Sequence, residues 1–95
     1  MNLKELHNDS IGVQTNMLFP ANEGKVISLQ IVKGNQLKAH ITKVPALLIC
    51  ISGHAVYEDE KGNKASLLSG DFVKIEPNEK HWVDGIENSN LLLIK

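Results

Sequence analysis

Four histidines and one cysteine carry most of the chemistry open to this chain: His7, His40, His54, His81 and Cys50. An imidazole can exchange hydrogen bonds, act as a base near neutral pH or ligate a transition metal. A single cysteine excludes zinc-finger spacings and any disulfide within the chain. Other chemistries lack their residues. Ser52 and Ser69 have no elbow or base motif around them. Gly62 and Gly70 read as turn glycines, and no Gly-rich phosphate loop is present. Glu58, Asp59 and Glu60 read as a solvated acidic run beside a turn, not as the carboxylate pair of a glycosidase.

The elements that must position these residues are short strands cut by turns. Lys25–Val32 alternates in part, with Ile27, Leu29 and Ile31 on one face. Gly34-Asn35 signals a turn. Leu37–Val44 alternates again and places His40 on one face with Lys38 and Thr42. Pro45 interrupts, and Ala46–Ile51 is continuously apolar, which predicts cover on both faces. Cys50 shares its strand parity with Ala46, so it is expected to point inward. Ala55–Glu58 and Lys64–Leu68 flank a hairpin loop over 59–63, and Tyr57 is expected on a strand face. Phe72–Ile75, His81–Val83 and Leu91–Ile94 complete the set. Trp82 follows His81 and should therefore face the other way. Asp71 is expected to fix its turn through side-chain to backbone bonds. At most one helical turn fits Asn2–His7. Many short, evenly spaced strands predict a sandwich or barrel, all-β.

Size and charge narrow the function. Ninety-five residues make one domain with a thin core, so pairing as a homodimer is expected. Net charge is −1, and all ten basic residues are Lys. The absence of Arg and of any basic stripe argues against nucleic acid as a partner. No apolar run is long enough to span a bilayer, so no membrane partner is expected. Met1–Ser10 lacks an apolar h-region, and a lone thiol suits a reducing compartment, so a cytoplasmic location is expected.

Two stretches resemble the paired motifs of the cupin superfamily. Gly34 is followed by five residues and then His40; Thr42 stands at the motif's second His, Ala46 at its Glu, and Gly53 closes it. Gly70-Asp71 opens the second motif, which runs through Pro77 to His81, eleven residues after the glycine. Asn78 replaces a glycine common there, and Asn also tolerates a left-handed backbone. The resemblance implies a small RmlC-like cupin, a double-stranded β-helix or jelly-roll barrel. Residues 24–95 would form the barrel, and residues 1–23 an N-terminal segment with a first strand that packs on the barrel or on a partner.

The same resemblance marks a pocket lined by His40, Thr42, Cys50 and His81. In metal-bearing cupins His, His, Glu and His converge on one divalent metal. Here only His40 and His81 keep ligand types, so the metal site is incomplete, and a divalent transition metal stays open as a cofactor. Cys50 could complete a His2Cys set, or it is a small buried hydrophobe. His7 and His54 could help only if their backbones came close. The leading reading is a barrel that binds a small molecule in this pocket. The alternative is a metal-dependent enzyme, dioxygenase or isomerase-like, using His40, His81 and a further ligand. A metal-free enzyme would need a partner acid that the sequence does not identify.

Overall fold

The computed structural model describes residues 1–21 and 24–95. A single 3-10 turn, Leu3–Leu6, opens the chain, with the Asn2 side chain accepting from the Lys4 amide at its start. Nine strands follow: β1 (Val13–Ala21), β2 (Gly24–Ile31), β3 (Gln36–His40), β4 (Ala46–Ser52), β5 (Ala55–Asp59), β6 (Lys64–Leu67), β7 (Phe72–Ile75), β8 (His81–Gly85) and β9 (Ser89–Ile94). They form two antiparallel sheets, ordered β1-β2-β9-β4-β7 and β3-β8-β5-β6.

Alternation decides which side chains meet between the sheets. The five-stranded sheet turns Leu29, Ile31, Leu48, Cys50, Ile75, Leu91 and Leu93 inward; the four-stranded sheet answers with Ala55, Tyr57, Leu67 and Val83. These apolar side chains form one buried cluster, the main favourable contribution to stability. The first strand belongs to this framework, since β1 pairs with β2 from Val13↔Ile31 to Ala21↔Gly24.

Two expectations fail. The strand expected over Leu37–Val44 stops at His40. Beyond it, the Thr42 carbonyl accepts from the Asn78 amide at 2.7 Å, a loop-to-loop bond in place of a strand ladder. The apolar run of β4 is covered within the chain on its inner face only. Ala46, Leu48 and Cys50 are buried, Leu47 and Ile49 half-buried, and Ile51 exposed. Asn78 does take the left-handed conformation, at φ 66°. Gly53, at φ 97°, is required for a second reason: a Cβ there would strike the Asn88 carbonyl and Ser89.

Candidate functional site

β3 and β8 bring the two marked histidines together. His40 and His81 are cross-strand partners, with ring centroids 4.2 Å apart and planes tilted by 59°. A β-bulge makes this possible. Leu37 pairs with Val83, yet His40 pairs with His81, so three steps on β3 match two on β8. Strict alternation would put Leu37 and His40 on opposite faces. The extra residue re-aims His40 so that its ring lies tilted against the buried His81 while Leu37 still packs on the core.

Both rings are held in the same way. Nδ1 of His40 lies 3.0 Å from the Lys38 carbonyl, and Nδ1 of His81 lies 3.1 Å from the Glu79 carbonyl. A carbonyl only accepts, so each Nδ1 carries the hydrogen, and in the neutral ring each Nε2 keeps its lone pair. No described residue hydrogen-bonds to either Nε2. Only 2% of His81 is exposed, and burial lowers its pKa; the nearby His40 pushes the same way, and the Glu79 carbonyl opposes. His81 is therefore neutral at pH 7, an acceptor at Nε2.

Two further side chains complete the row, and the sequence reading placed neither at the site. Tyr57 stacks on His81 at 5.8 Å with planes 28° apart. Asp59 is the cross-strand partner of His81 on the other side, so His40, His81 and Asp59 run across three adjacent strands. Asp59 is not solvated as expected: it is 7% exposed. Its Oδ1 accepts from the Lys61 and Asn63 amides, both at 3.0 Å, and its Oδ2 from Asn63 Nδ2 at 2.9 Å. The Tyr57 hydroxyl also faces Oδ2, at 3.4 Å. Burial alone would raise the carboxyl's pKa, but the bonds from Asn63 and Lys61 outweigh it and bring it below the ordinary value. Tyr57 is pushed up to about 12, by burial first and then by the Asp59 charge and bond. Its hydroxyl thus stays protonated and directed at Asp59. The readable signal was parity, since Asp59 follows Tyr57 by two on one strand.

Thr42, Cys50 and Ala46 do not join the pair as ligands. Thr42 is buried, but its hydroxyl donates to the Val44 carbonyl at 2.9 Å. Cys50 is fully buried on the facing sheet, and its thiol meets the Ser52 carbonyl at 3.5 Å. Burial raises its pKa, with Asp71 adding to the effect, so it stays a thiol. Ala46 packs in the core. His7 reaches Ser28, and His54 reaches Ser66, each at 2.7 Å, so neither approaches the pair as a third nitrogen. Among the described residues no three His, Cys, Asp or Glu side chains converge as a metal-ligand set. Two imidazoles fall short of the three protein ligands usual for a catalytic zinc, so the residues present do not fit the metal centre that the motif resemblance implies.

No protein-family model matches the chain, and no curated protein matches its sequence. Solved structures do match it in shape. A conserved protein of unknown function from Streptococcus pyogenes superposes with TM-score 0.82 at 15% identity, covering 99% of this chain and 82% of that one. A cupin-2 domain protein from Shewanella frigidimarina gives 0.81 at 13% identity, covering 100% and 92%. An RmlC-like cupin from Methanocaldococcus jannaschii, with a double-stranded β-helix, gives 0.77 at 18% identity, covering 87% and 78%. At these identities the likeness is one of fold: the chain is a jelly-roll barrel of cupin type.

Proposed function

We propose that this cupin-type barrel binds a small molecule bearing hydroxyl or amine hydrogens, held between the Nε2 atoms of His40 and His81. The observation that carries this is the pair's hydrogen bonding. Backbone carbonyls take both Nδ1 hydrogens, which leaves two acceptors side by side, one of them kept neutral by burial. The stacked Tyr57 ring gives that end of the sheet a flat apolar wall, and the Asp59 carboxylate, its oxygens already bonded within the hairpin, adds negative charge beside it. Such a lining favours donors over anions, because a carboxylate or phosphate would meet lone pairs.

The test is a titration of labelled protein with polyols, sugars and small amines, read on the imidazole nitrogen resonances. The reading expects saturable shifts of both Nε2 signals with at least one such compound. A double His40→Ala, His81→Ala variant should lose them. Preference for carboxylates would overturn it. So would stoichiometric Fe, Ni, Mn, Cu or Zn retained by the wild type and lost in the variant, which would put the metal-dependent enzyme ahead.

A second copy of the chain is the partner this reading includes. The outer face of the larger sheet carries Leu47, Ile49, Phe72, Leu92 and Ile94 on neighbouring strands β7, β4 and β9. Phe72 is 60% exposed. An apolar face of this kind on a chain of 95 residues supports a homodimer, because a core this small gains most from added burial.

A further inference from the structure

The outer face of the larger sheet is apolar only in part. One row across its strands is polar: Gln14 on β1, Gln30 on β2, Asn90 on β9 and Ser52 on β4 are successive cross-strand partners. Outward polar side chains ordinarily meet water, yet Gln30 and Asn90 are each only 4% exposed, and Ser28 beside them is fully buried. The N-terminal segment covers them. His7 bonds Ser28 through Nε2 and Gln14 through Nδ1, at 2.7 and 3.2 Å. Asp9 Oδ1 accepts from Gln30 Nε2 at 3.1 Å, and Asn90 Nδ2 donates to Gln30 Oε1 at 2.9 Å. Through these side-chain bonds the N-terminal segment is docked on the sheet as a strap.

Between strap and sheet lies a cavity of about 280 Å³ lined by Lys4, His7, Asp9, Gln30, Asn88 and Asn90. Its lining is polar, and its hydrogen-bonding capacity is not exhausted within the chain. Each primary amide has two hydrogens. Gln30 and Asn90 each use one of theirs in the bonds just described. Asn88 spends its Oδ1 on the Lys33 amide at 2.8 Å, which leaves its NH₂ group. Asp9 retains Oδ2, and Lys4 forms no ion pair among the described residues. The cavity thus offers amide and ammonium donors together with a single carboxylate acceptor. Lys4 and Asp9 balance each other, so a ligand carrying both signs is met without a net charge mismatch. The volume lies at the lower end of the ~300–1,000 Å³ of pockets for drug-sized molecules, which suits a small ligand.

We infer that this cavity is a second binding site, distinct from the histidine pair, for a small zwitterion of the free amino-acid type. The carboxylate is taken by Lys4 and the Asn88 amide, and the ammonium by Asp9. Ligand bound here would also fasten the strap, since two of its contacts lie on the strap and one on the loop before β9.

The experiment is an amide titration of the nitrogen-labelled 95-residue chain. The probes are glycine, L-alanine, L-serine and L-aspartate, each to about 10 mM, where a millimolar dissociation constant already gives near-saturation. Propionate and ethylamine are run as single-charge controls. The site predicts saturable shifts of the Gln30, Asn88 and Asn90 side-chain amides with at least one amino acid, and none with either control. Lys4→Met and Asp9→Asn should each weaken binding about tenfold or more. The His40→Ala, His81→Ala variant should bind as the wild type does, which separates this site from the barrel interior. Backbone spectra of the variants verify folding. No shift with any amino acid, equal shifts with propionate, or unchanged affinity in Asp9→Asn would each overturn the assignment.

Discussion

Tyr57 is the only tyrosine in the chain, so its ionisation can be followed without interference. In the folded barrel its hydroxyl is pushed up to about 12, from an ordinary value of 10.0. Burial is the first cause and the Asp59 carboxylate the second, with Glu79 and Glu76 adding to them. The sign follows from proton linkage. Between the two values the unfolded chain has released the phenol proton and the folded chain has kept it. The contribution of this group is therefore complete below pH 10 and is lost as pH rises toward about 12. Two pH units at 1.36 kcal/mol each set the full loss at about 3 kcal/mol, half of it by about pH 11. The perturbation is Tyr57→Phe, which keeps the ring stacked on His81 and removes the titration. Denaturant unfolding from about pH 8 to 11, followed by Trp82 fluorescence, gives the stability difference between the two proteins, and lysine titration cancels from it. At pH 8 the wild type should be more stable by at most about 1 kcal/mol, because the bond removed is long at 3.4 Å. By pH 11 that advantage should have fallen by about 1.4 kcal/mol. Asp59→Asn should lower the midpoint of phenolate absorbance without returning it to the ordinary value, because burial persists. A stability difference independent of pH, or a wild-type midpoint near 10, would refute the placement of Tyr57 against a buried carboxylate.

Two other outcomes follow from the same arrangement. His81 holds a lowered pKa, so the unfolded chain takes up its proton first as pH falls. Stability should therefore drop from about pH 6.5 downward, by up to about 1.4 kcal/mol per unit, until folded His81 is itself protonated. His81→Gln should flatten that drop in acid unfolding curves. Sedimentation at micromolar concentration should give a dimer that Phe72→Lys or Ile49→Asp converts to a folded monomer; a monomeric wild type would remove the apolar outer face from consideration as an interface.

Much of the fold was legible because glycines and turns carry it. Gly34, Gly53 and Gly70 all take positive φ, where a side chain would be strained, so their spacing set the strand boundaries before any packing was known. His40 and His81 were legible as a pair only through the resemblance. Alternation alone would have separated Leu37 from His40, and a bulge leaves no mark in an apolar/polar pattern. Asp59 was missed for a related reason. In sequence it is one of three adjacent acids, but as the last residue of β5 it turns inward and closes the hairpin through the Lys61 and Asn63 amides. The strap was illegible because its bonds are side-chain bonds between polar residues distant in sequence. Twenty-one positions separate His7 from Ser28, and again Asp9 from Gln30.

The two positions that depart from the cupin motif have acquired other work, and this bears on what the barrel can bind. Ala46 sits in the core cluster, where a carboxylate would carry the cost of a buried charge. Thr42 gives its hydroxyl to Val44 and its carbonyl to the Asn78 amide, joining the β3–β4 and β7–β8 loops. Placing the motif's residues there, as Thr42→His and Ala46→Glu, would remove the hydroxyl bond to Val44, though not the backbone bond to Asn78, and would load the core before any ligand set formed. What remains at the site is an acceptor pair with each ring fixed by its own backbone, beside a tyrosine whose proton is committed to Asp59. Every polar group the row presents inward is then an acceptor or already a satisfied donor. The missing hydrogens must come from what binds, which is why a hydroxylated or amino-bearing molecule suits this barrel better than an anion.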